Sequence, residues 1–202
     1  MDTLGAALSF GGFLSTPNIK RVRQAFATRD LATEESLLQI GDVCREVAFV
    51  ESGILRVFAI DTDGREVTKY FSRAGQFLVE LESYYNRTPS ENAFQAVVPT
   101  RVHTIQQTVW QRLNEDIPQL FILSKSLTEA TLLNKLKDND FLNFGTAQDK
   151  YRVFLERYPD LALRVPQQYI ASYLKITPQS LSRIKRQVLQ SGNQKSDGKV
   201  RP

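Results

Sequence analysis

Residues 167–186 read QQYIASYLKITPQSLSRIKR, and this stretch decides the architecture of the chain. Ile170, Leu174, Ile176, Leu181 and Ile184 are apolar, and Ala171 is small. Ile170 and Leu174 are four apart and share one helix face. Leu181 and Ile184 are three apart and share a side of a second helix. Ala171 lets another backbone come close, and Ile176 plugs the turn between them. Thr177 suits an N-cap, and Pro178 falls at the first helical position, where its missing N–H costs nothing. The pattern predicts two short helices crossing steeply around one apolar knot. The second starts at Thr177 and has a polar or basic outer face of Gln179, Ser182, Arg183 and Arg186. A helix-turn-helix offers such a second helix to the DNA major groove. An ordinary helical hairpin with solvated charges is the alternative. The match at every apolar position and the lopsided charge decide against it.

That charge is local. The chain has 202 residues and a formal net charge of +4. Residues 150–202 hold 11 Lys and Arg against 3 Asp and Glu, a surplus of +8, which leaves −4 for the rest. Basic charge gathered on the segment with the motif is the footprint of a nucleic-acid-binding module. A hydrophobic content of 42% and a charged content of 24% are those of a globular protein with a sizeable core. No apolar run is long enough to span a bilayer. The start, MDTLGAALSF, lacks the basic head of a secretory signal. The single cysteine, Cys44, excludes an internal disulfide. These features predict a cytoplasmic protein with no membrane partner.

Upstream, residues 18–27 read as a lead-in helix carrying Ile19, Val22 and Phe26. Residues 37–105 read as strands and turns: SLLQI, REVAFVESG, ILRVFAID, REVTKYFS and FQAVVPTRVHTI. The Asp63-Gly64 pair between two apolar runs predicts a hairpin. Leu55, Val57 and Ala59 alternate with Arg56 and Phe58, which predicts an inner and an outer face. Short strands at near-regular spacing predict a sandwich or barrel whose interior can hold a small ligand. Trp110 and Leu113 suit a short helix. A longer one starts near Pro118 and carries Ile122, Leu127, Leu132, Leu133 and Leu136, a stripe suited to pairing with a second copy. Asn143 and Gly145 mark a hinge. Tyr151, Phe154, Leu155 and Tyr158 line another helix, stopped at Pro159. The recognition helix is expected to end at Gly192, with residues 192–202 disordered.

A β-rich domain, a long helix and a C-terminal helix-turn-helix resemble the cyclic-AMP receptor protein/FNR superfamily of bacterial transcription regulators. The resemblance is strongest over residues 151–186 (YRVFLERYPDLALRVPQQYIASYLKITPQSLSRIKR) and 41–77 (GDVCREVAFVESGILRVFAIDTDGREVTKYFSRAGQF). It implies an α+β chain in three parts. Residues 1–116 would be a double-stranded β-roll (jelly-roll) sensor, 117–145 a dimerisation helix with hinge, and 146–202 a helix-turn-helix with little or no wing. It implies double-stranded DNA, a second copy of the chain and RNA polymerase as partners. Carried over by position, the base readers become Pro178, Gln179 and Arg183. Arg183 offers a fork for guanine O6 and N7, Gln179 an amide for adenine, and Pro178 only apolar contact. Ser182 joins this group. Gln167, Gln168, Tyr169, Thr177, Ser180, Lys185 and Arg186 are candidates for phosphate contacts, which position without specifying. One departure is Lys175, at a turn position where the family usually has glycine.

The resemblance also tests the sensor. In nucleotide-binding relatives a Gly-Glu-Leu segment takes the ribose, and an Arg-Ser or Arg-Thr pair takes the phosphate. Here Glu80 and Leu81 fit, but Val79 replaces the glycine, and Ser90 and Glu91 stand at the arginine and serine positions. Arg87-Thr88 lies three residues early. The candidate effector residues are therefore Glu80, Leu81, Arg87 and Thr88, and a cyclic nucleotide is not the expected effector. No cofactor and no metal are expected: one cysteine and one histidine, His103, cannot ligate an iron–sulfur cluster. His103 and Cys44 read as structural. Signatures of hydrolases, metalloproteases and phosphate loops are absent, so an enzyme is not expected. The competing reading is a small-molecule-binding roll whose helical domain docks protein.

Overall fold

The structure, a computed structural model, describes residues 3–196. Residues 197–202, part of the tail expected to be disordered, lie outside the described residues. The chain divides between Asn134 and Lys135 into two compact units.

The first unit opens with α1 (Thr3–Leu8), a 3-10 turn (Phe10–Gly12) and α2 (Thr16–Gln24). Ser15 caps α2 by accepting from the Asn18 N–H at 3.4 Å, and Pro17 fits the first turn. Eight strands follow: β1 (Ala27–Leu31), β2 (Ser36–Leu38), β3 (Glu46–Ser52), β4 (Ile54–Ile60), β5 (Glu66–Arg73), β6 (Phe77–Leu78), β7 (Ala93–Ala96) and β8 (Thr100–Gln106). They form two four-stranded antiparallel sheets, ordered β1-β8-β3-β6 and β2-β7-β4-β5. The expected roll is therefore present. Phe49, Val50, Leu55, Val57, Val102 and Ile105 fill its core with Leu4, Leu8 and Val22. Each such side chain, fully buried, contributes about 1.5–3 kcal/mol. The expected hairpin joins β4 to β5. Asp61 Oδ1 accepts from the Asp63 and Arg65 N–H groups, both at 2.9 Å, and Gly64 takes φ 79°.

Several details differ from the sequence reading. FQAVVPTRVHTI is two strands, not one. Its β7 half pairs with β2 and β4, its β8 half with β1 and β3, so the chain changes sheets at Val97–Pro99. Proline has no N–H for a ladder there. Strand β1 was not expected: it is a mostly exposed edge strand, ATRDL, so it shows no alternation. Arg56 sits on the outer face of β4 as expected but is only 2% exposed. Its guanidinium lies 4.1 Å over the Phe58 ring, donates to Gln95 Oε1 at 2.8 Å and pairs with Glu66. Cys44 is buried in the segment ahead of β3.

Helix α3 (Leu81–Asn86) bridges β6 and β7, and α4 (Gln107–Asp116) follows β8. Helix α5 (Pro118–Asn143) crosses the division between the units. Leu113, Ile117, Leu120 and Leu123 enter the roll core. Farther along, α5 leaves Leu132, Leu133 and Leu136 more than half exposed, at 55%, 59% and 53%.

The second unit contains the end of α5, then α6 (Ala147–Arg157), α7 (Pro159–Arg164), α8 (Gln167–Tyr173) and α9 (Pro178–Ser196). Thr146 and Asp149 form a capping box on α6, and the Thr146 hydrogen bonds hold the Asp149 carboxyl below its ordinary range. Phe154, Leu161, Ile170, Ala171, Leu174 and Leu181 make its core. Helix α7 was not expected; Pro159, read as a stop for α6, also starts α7. Gly192 does not end the last helix, which runs on to Ser196. An interior glycine costs a helix only about 1 kcal/mol. Among the described residues no helix is long and apolar enough to cross a membrane.

Candidate nucleic-acid interface and sensor interior

Helices α8 and α9 hold the expected apolar knot. Ile170, Ala171, Leu174, Leu181 and Ile184 are buried, and Ile176 is half-buried in the turn. The turn closes by backbone bonds from Lys175 to Ser172 O at 3.1 Å and from Ile176 to Ala171 O at 3.0 Å. Lys175 takes the left-handed conformation, φ 57°, so the glycine that the resemblance implies at this turn has a steric reason. Its side chain compensates in part: Nζ donates to Asn143 Oδ1 at 2.8 Å. Lys175→Gly is expected to stabilise the second unit by roughly 0.5–1 kcal/mol, the left-handed strain relieved less the lost hydrogen bond. A urea denaturation midpoint checks this.

Thr177 caps α9. Its Oγ1 accepts from the Ser180 N–H at 3.1 Å and donates to Ser180 Oγ at 3.0 Å. Both hydroxyls are thus engaged in starting the helix. Leu181 and Ile184 pin the inner face. That leaves Pro178, Gln179, Arg183 and Arg186 exposed, with Ser182 and Lys185 half-buried. Gln179, Arg183 and Arg186 repeat at four and three residues and form one outward stripe. On α8, Gln167 and Gln168 are exposed and Tyr169 is half-buried.

Sequence reasoning missed the polar knot that holds this unit together. Asp138, near the end of α5, accepts from the Tyr158 hydroxyl at 2.6 Å and the Tyr173 hydroxyl at 3.2 Å, and pairs with Arg157 at 2.7 Å. Burial, then the Asp138 carboxylate, pushes both tyrosine hydroxyls up, so they stay protonated donors. The donors come from α6, from the residue after it and from α8, which ties those segments to α5. Nothing local in the sequence signals a carboxylate with partners 20 and 35 residues away.

In the roll, the candidate effector residues do not converge. Glu80 Oε2 accepts from Asn92 Nδ2 at 3.1 Å. Leu81 is 47% exposed on α3. Arg87 ends α3 in the left-handed conformation and faces a separate cavity with Arg45. The Thr88 carbonyl accepts from Ser83 Oγ at 2.6 Å. Ser90, at the position of the missing phosphate arginine, is buried, and its hydroxyl donates to Asn92 O at 2.7 Å. Tyr70 also enters the interior, its hydroxyl pushed up by burial, then by Glu80 and Cys44.

Residues 28–116 match the family model of the cyclic nucleotide-binding domain. FixK2 from Bradyrhizobium japonicum superposes with a TM-score of 0.71 at 19% identity, covering 83% of this chain and 86% of that one. CLP, a c-di-GMP responsive global regulator from Xanthomonas campestris, superposes at 0.70 with 18% identity, covering 88% and 93%. Catabolite activator protein from Thermus thermophilus gives 0.56 at 18% identity, covering 92% and 88%. The chain has the fold of the cyclic-AMP receptor protein/FNR regulators. No curated protein matches the chain by sequence.

Within that fold, this chain's own features are plain. The roll keeps Glu80 but satisfies it internally through Asn92. The turn of the helix-turn-helix carries lysine in a conformation that favours glycine. Helix α9 extends to the end of the described residues, which include no strand after it.

Proposed function

We propose that the chain is a homodimeric, sequence-specific DNA-binding transcription regulator. The observation that carries this reading is the outer stripe of α9: Gln179, Arg183 and Arg186 stand exposed while Leu181 and Ile184 hold the opposite side in the core. Arg183 and Gln179 read base edges, with Pro178 and Ser182 alongside. Gln167, Gln168, Tyr169, Lys185 and Arg186 contact phosphates. Thr177 and Ser180 contribute through the backbone end they cap. The exposed leucines of α5 support dimerisation, because an uncovered apolar stripe on a helix is completed by its own copy. Two recognition helices then address half-sites roughly 34 Å apart. RNA polymerase is the partner that such a regulator engages.

The roll acts as sensor. We infer that its effector is not an ordinary cyclic nucleotide. Ser90 replaces the cation a phosphate needs, Tyr70 enters the interior, and Glu80 is engaged by Asn92. We assign the chain no catalytic role. Among the described residues no group of three His, Cys, Asp or Glu could hold a metal ion.

The test has two parts. Binding to a duplex selected from a random pool should fall steeply with salt, as phosphate contacts release counterions. Arg183→Ala should cost roughly 1–3 kcal/mol on that site and relax base preference there. Binding that ignores salt would favour the protein-docking reading. Equal weakening on all sequences would make Arg183 a phosphate contact.

A further inference from the structure

We infer that Lys175 is a positioning residue for DNA recognition: its ammonium group latches the turn of the helix-turn-helix to the end of α5, and the latch fixes the direction in which α9 is presented. The role rests on the regulator reading proposed above, and it belongs to a residue that need not touch DNA. Lys175 holds φ 57°, a conformation that costs an L side chain and suits glycine. It is exposed, so burial in the core does not hold it there. Outliers of this kind gather at places that must keep one geometry.

The side chain reaches another helix. Nζ donates to Asn143 Oδ1 at 2.8 Å, and Asn143 Nδ2 donates to Asn139 Oδ1 at 2.7 Å, one turn back on α5. Asn139 thereby sets which end of the Asn143 amide meets the lysine. Asn143 is the last residue of α5, where the carbonyls of the final turn favour a cation. Lysine is therefore matched twice here, by an amide oxygen and by the negative end of a helix. Glycine would relieve the backbone and lose both.

The latch lies beside a joint one residue wide. The backbone bonds of α5 run as far as Phe144, whose N–H donates to Asp140 O at 2.9 Å. Thr146 already caps α6. Gly145 alone stands between them, at φ 95°. The Asp138 knot crosses this joint through Arg157, Tyr158 and Tyr173. A single attachment leaves a pivot. Lys175 supplies a second at Asn143, five residues farther along α5, a rise of about 7.5 Å. Two attachments that far apart keep the α8–α9 pair from turning about Gly145. Thr177, which caps α9, follows Lys175 by two residues, so the latched turn carries the recognition helix with it. In a dimer that reads two half-sites, such a turn would misplace both recognition helices.

The test compares the full parent chain with Lys175→Gly, Asn143→Ala and the double variant, on a duplex that the parent selects from a random pool. Both positions are exposed, so folding survives the changes. Lys175→Gly should be more stable than the parent in urea, yet bind DNA roughly threefold to tenfold more weakly, the range of one modest hydrogen bond to a charged group. Asn143→Ala keeps every charge and should weaken binding by a similar factor, and the double variant by no more than either alone. The salt dependence should stay the parent's in all of them, because no phosphate contact is removed. Without DNA, Lys175→Gly should raise the urea midpoint more in the Asn143→Ala background than in the parent, since no hydrogen bond is then lost. Equal shifts in the two backgrounds would show that the side chains do not meet, and would overturn the latch. Lys175→Gly binding as tightly as the parent would overturn it as well. So would a loss that Asn143→Ala does not share, with a shallower salt dependence, which would make Lys175 a phosphate contact. A parent chain that selects no duplex at all would fail the regulator reading, and the positioning role with it.

Discussion

Alanine at Gly53 is expected to destabilise the roll by about 3–5 kcal/mol, the sum of a left-handed backbone cost and a steric one. Gly53 joins β3 to β4 with φ 94°, at a corner where the chain passes from one sheet to the other. A Cβ there would stand 2.6 Å from Thr100 Cα and 2.7 Å from Pro99 O, both backbone atoms that cannot swing aside. It would also meet Thr100 Oγ1 at 2.3 Å. That hydroxyl accepts from the Ile54 N–H at 3.0 Å and donates to Val98 O at 2.7 Å, fastening the two corners to each other. The sole tryptophan, Trp110, packs edge-on against Phe26 at 6.1 Å and lies half-buried against the roll core. Its fluorescence should therefore report a lowered urea midpoint. A variant that melts with the parent would show that the corner can widen without cost.

Asp138→Ala is expected to cost the second unit about 3 kcal/mol, because it removes the acceptor that three donors share in a largely buried place. Asp138 is 16% exposed and Arg157 30%, so the loss falls at the low end for a buried pair. Tyr158 and Tyr173 lose this acceptor, while Arg157 keeps its hydrogen bond to the Tyr158 hydroxyl and its place near the Phe141 and Tyr158 rings, 5.7 Å from each. Asp138→Asn keeps one acceptor oxygen and should lose less. Far-ultraviolet circular dichroism, dominated by helices, should show the lower midpoint, while Trp110 fluorescence stays near the parent's. On the proposed regulator reading, DNA affinity should fall with the folded fraction of the unit and recover on cooling. If affinity vanishes at a temperature where the unit is fully folded, Asp138 acts on the interface in some other way.

The α8–α9 motif was legible because its determinants are local. Leu181 and Ile184 face inward, and Thr177 caps, for reasons contained in twenty consecutive residues. The β4–β5 hairpin was legible for the same reason. Arg56 was misread because alternation tells which side of a strand a residue takes, not what lies on that side. Phe58, Gln95 and Glu66 close over it, and two of these come from other strands. Edge strand β1 has register but no buried face, so it leaves no periodic trace. Glu80 and Arg87 were both candidates for one effector site. The short helix between them hands one to Asn92 and the other to Arg45's cavity. Pairings of that kind depend on which strands become adjacent, and the sequence does not carry that locally.

Cys44, the chain's one cysteine, is 4% exposed, and burial pushes its thiol above the usual range. Sulfhydryl reagents attack the thiolate, so this position reacts slowly in the folded protein. A cysteine introduced on the outward side of α9 or along the α5 leucines would then take a fluorophore or spin label selectively, with the parent background left intact. The molecule comes ready for distance measurements between labelled copies.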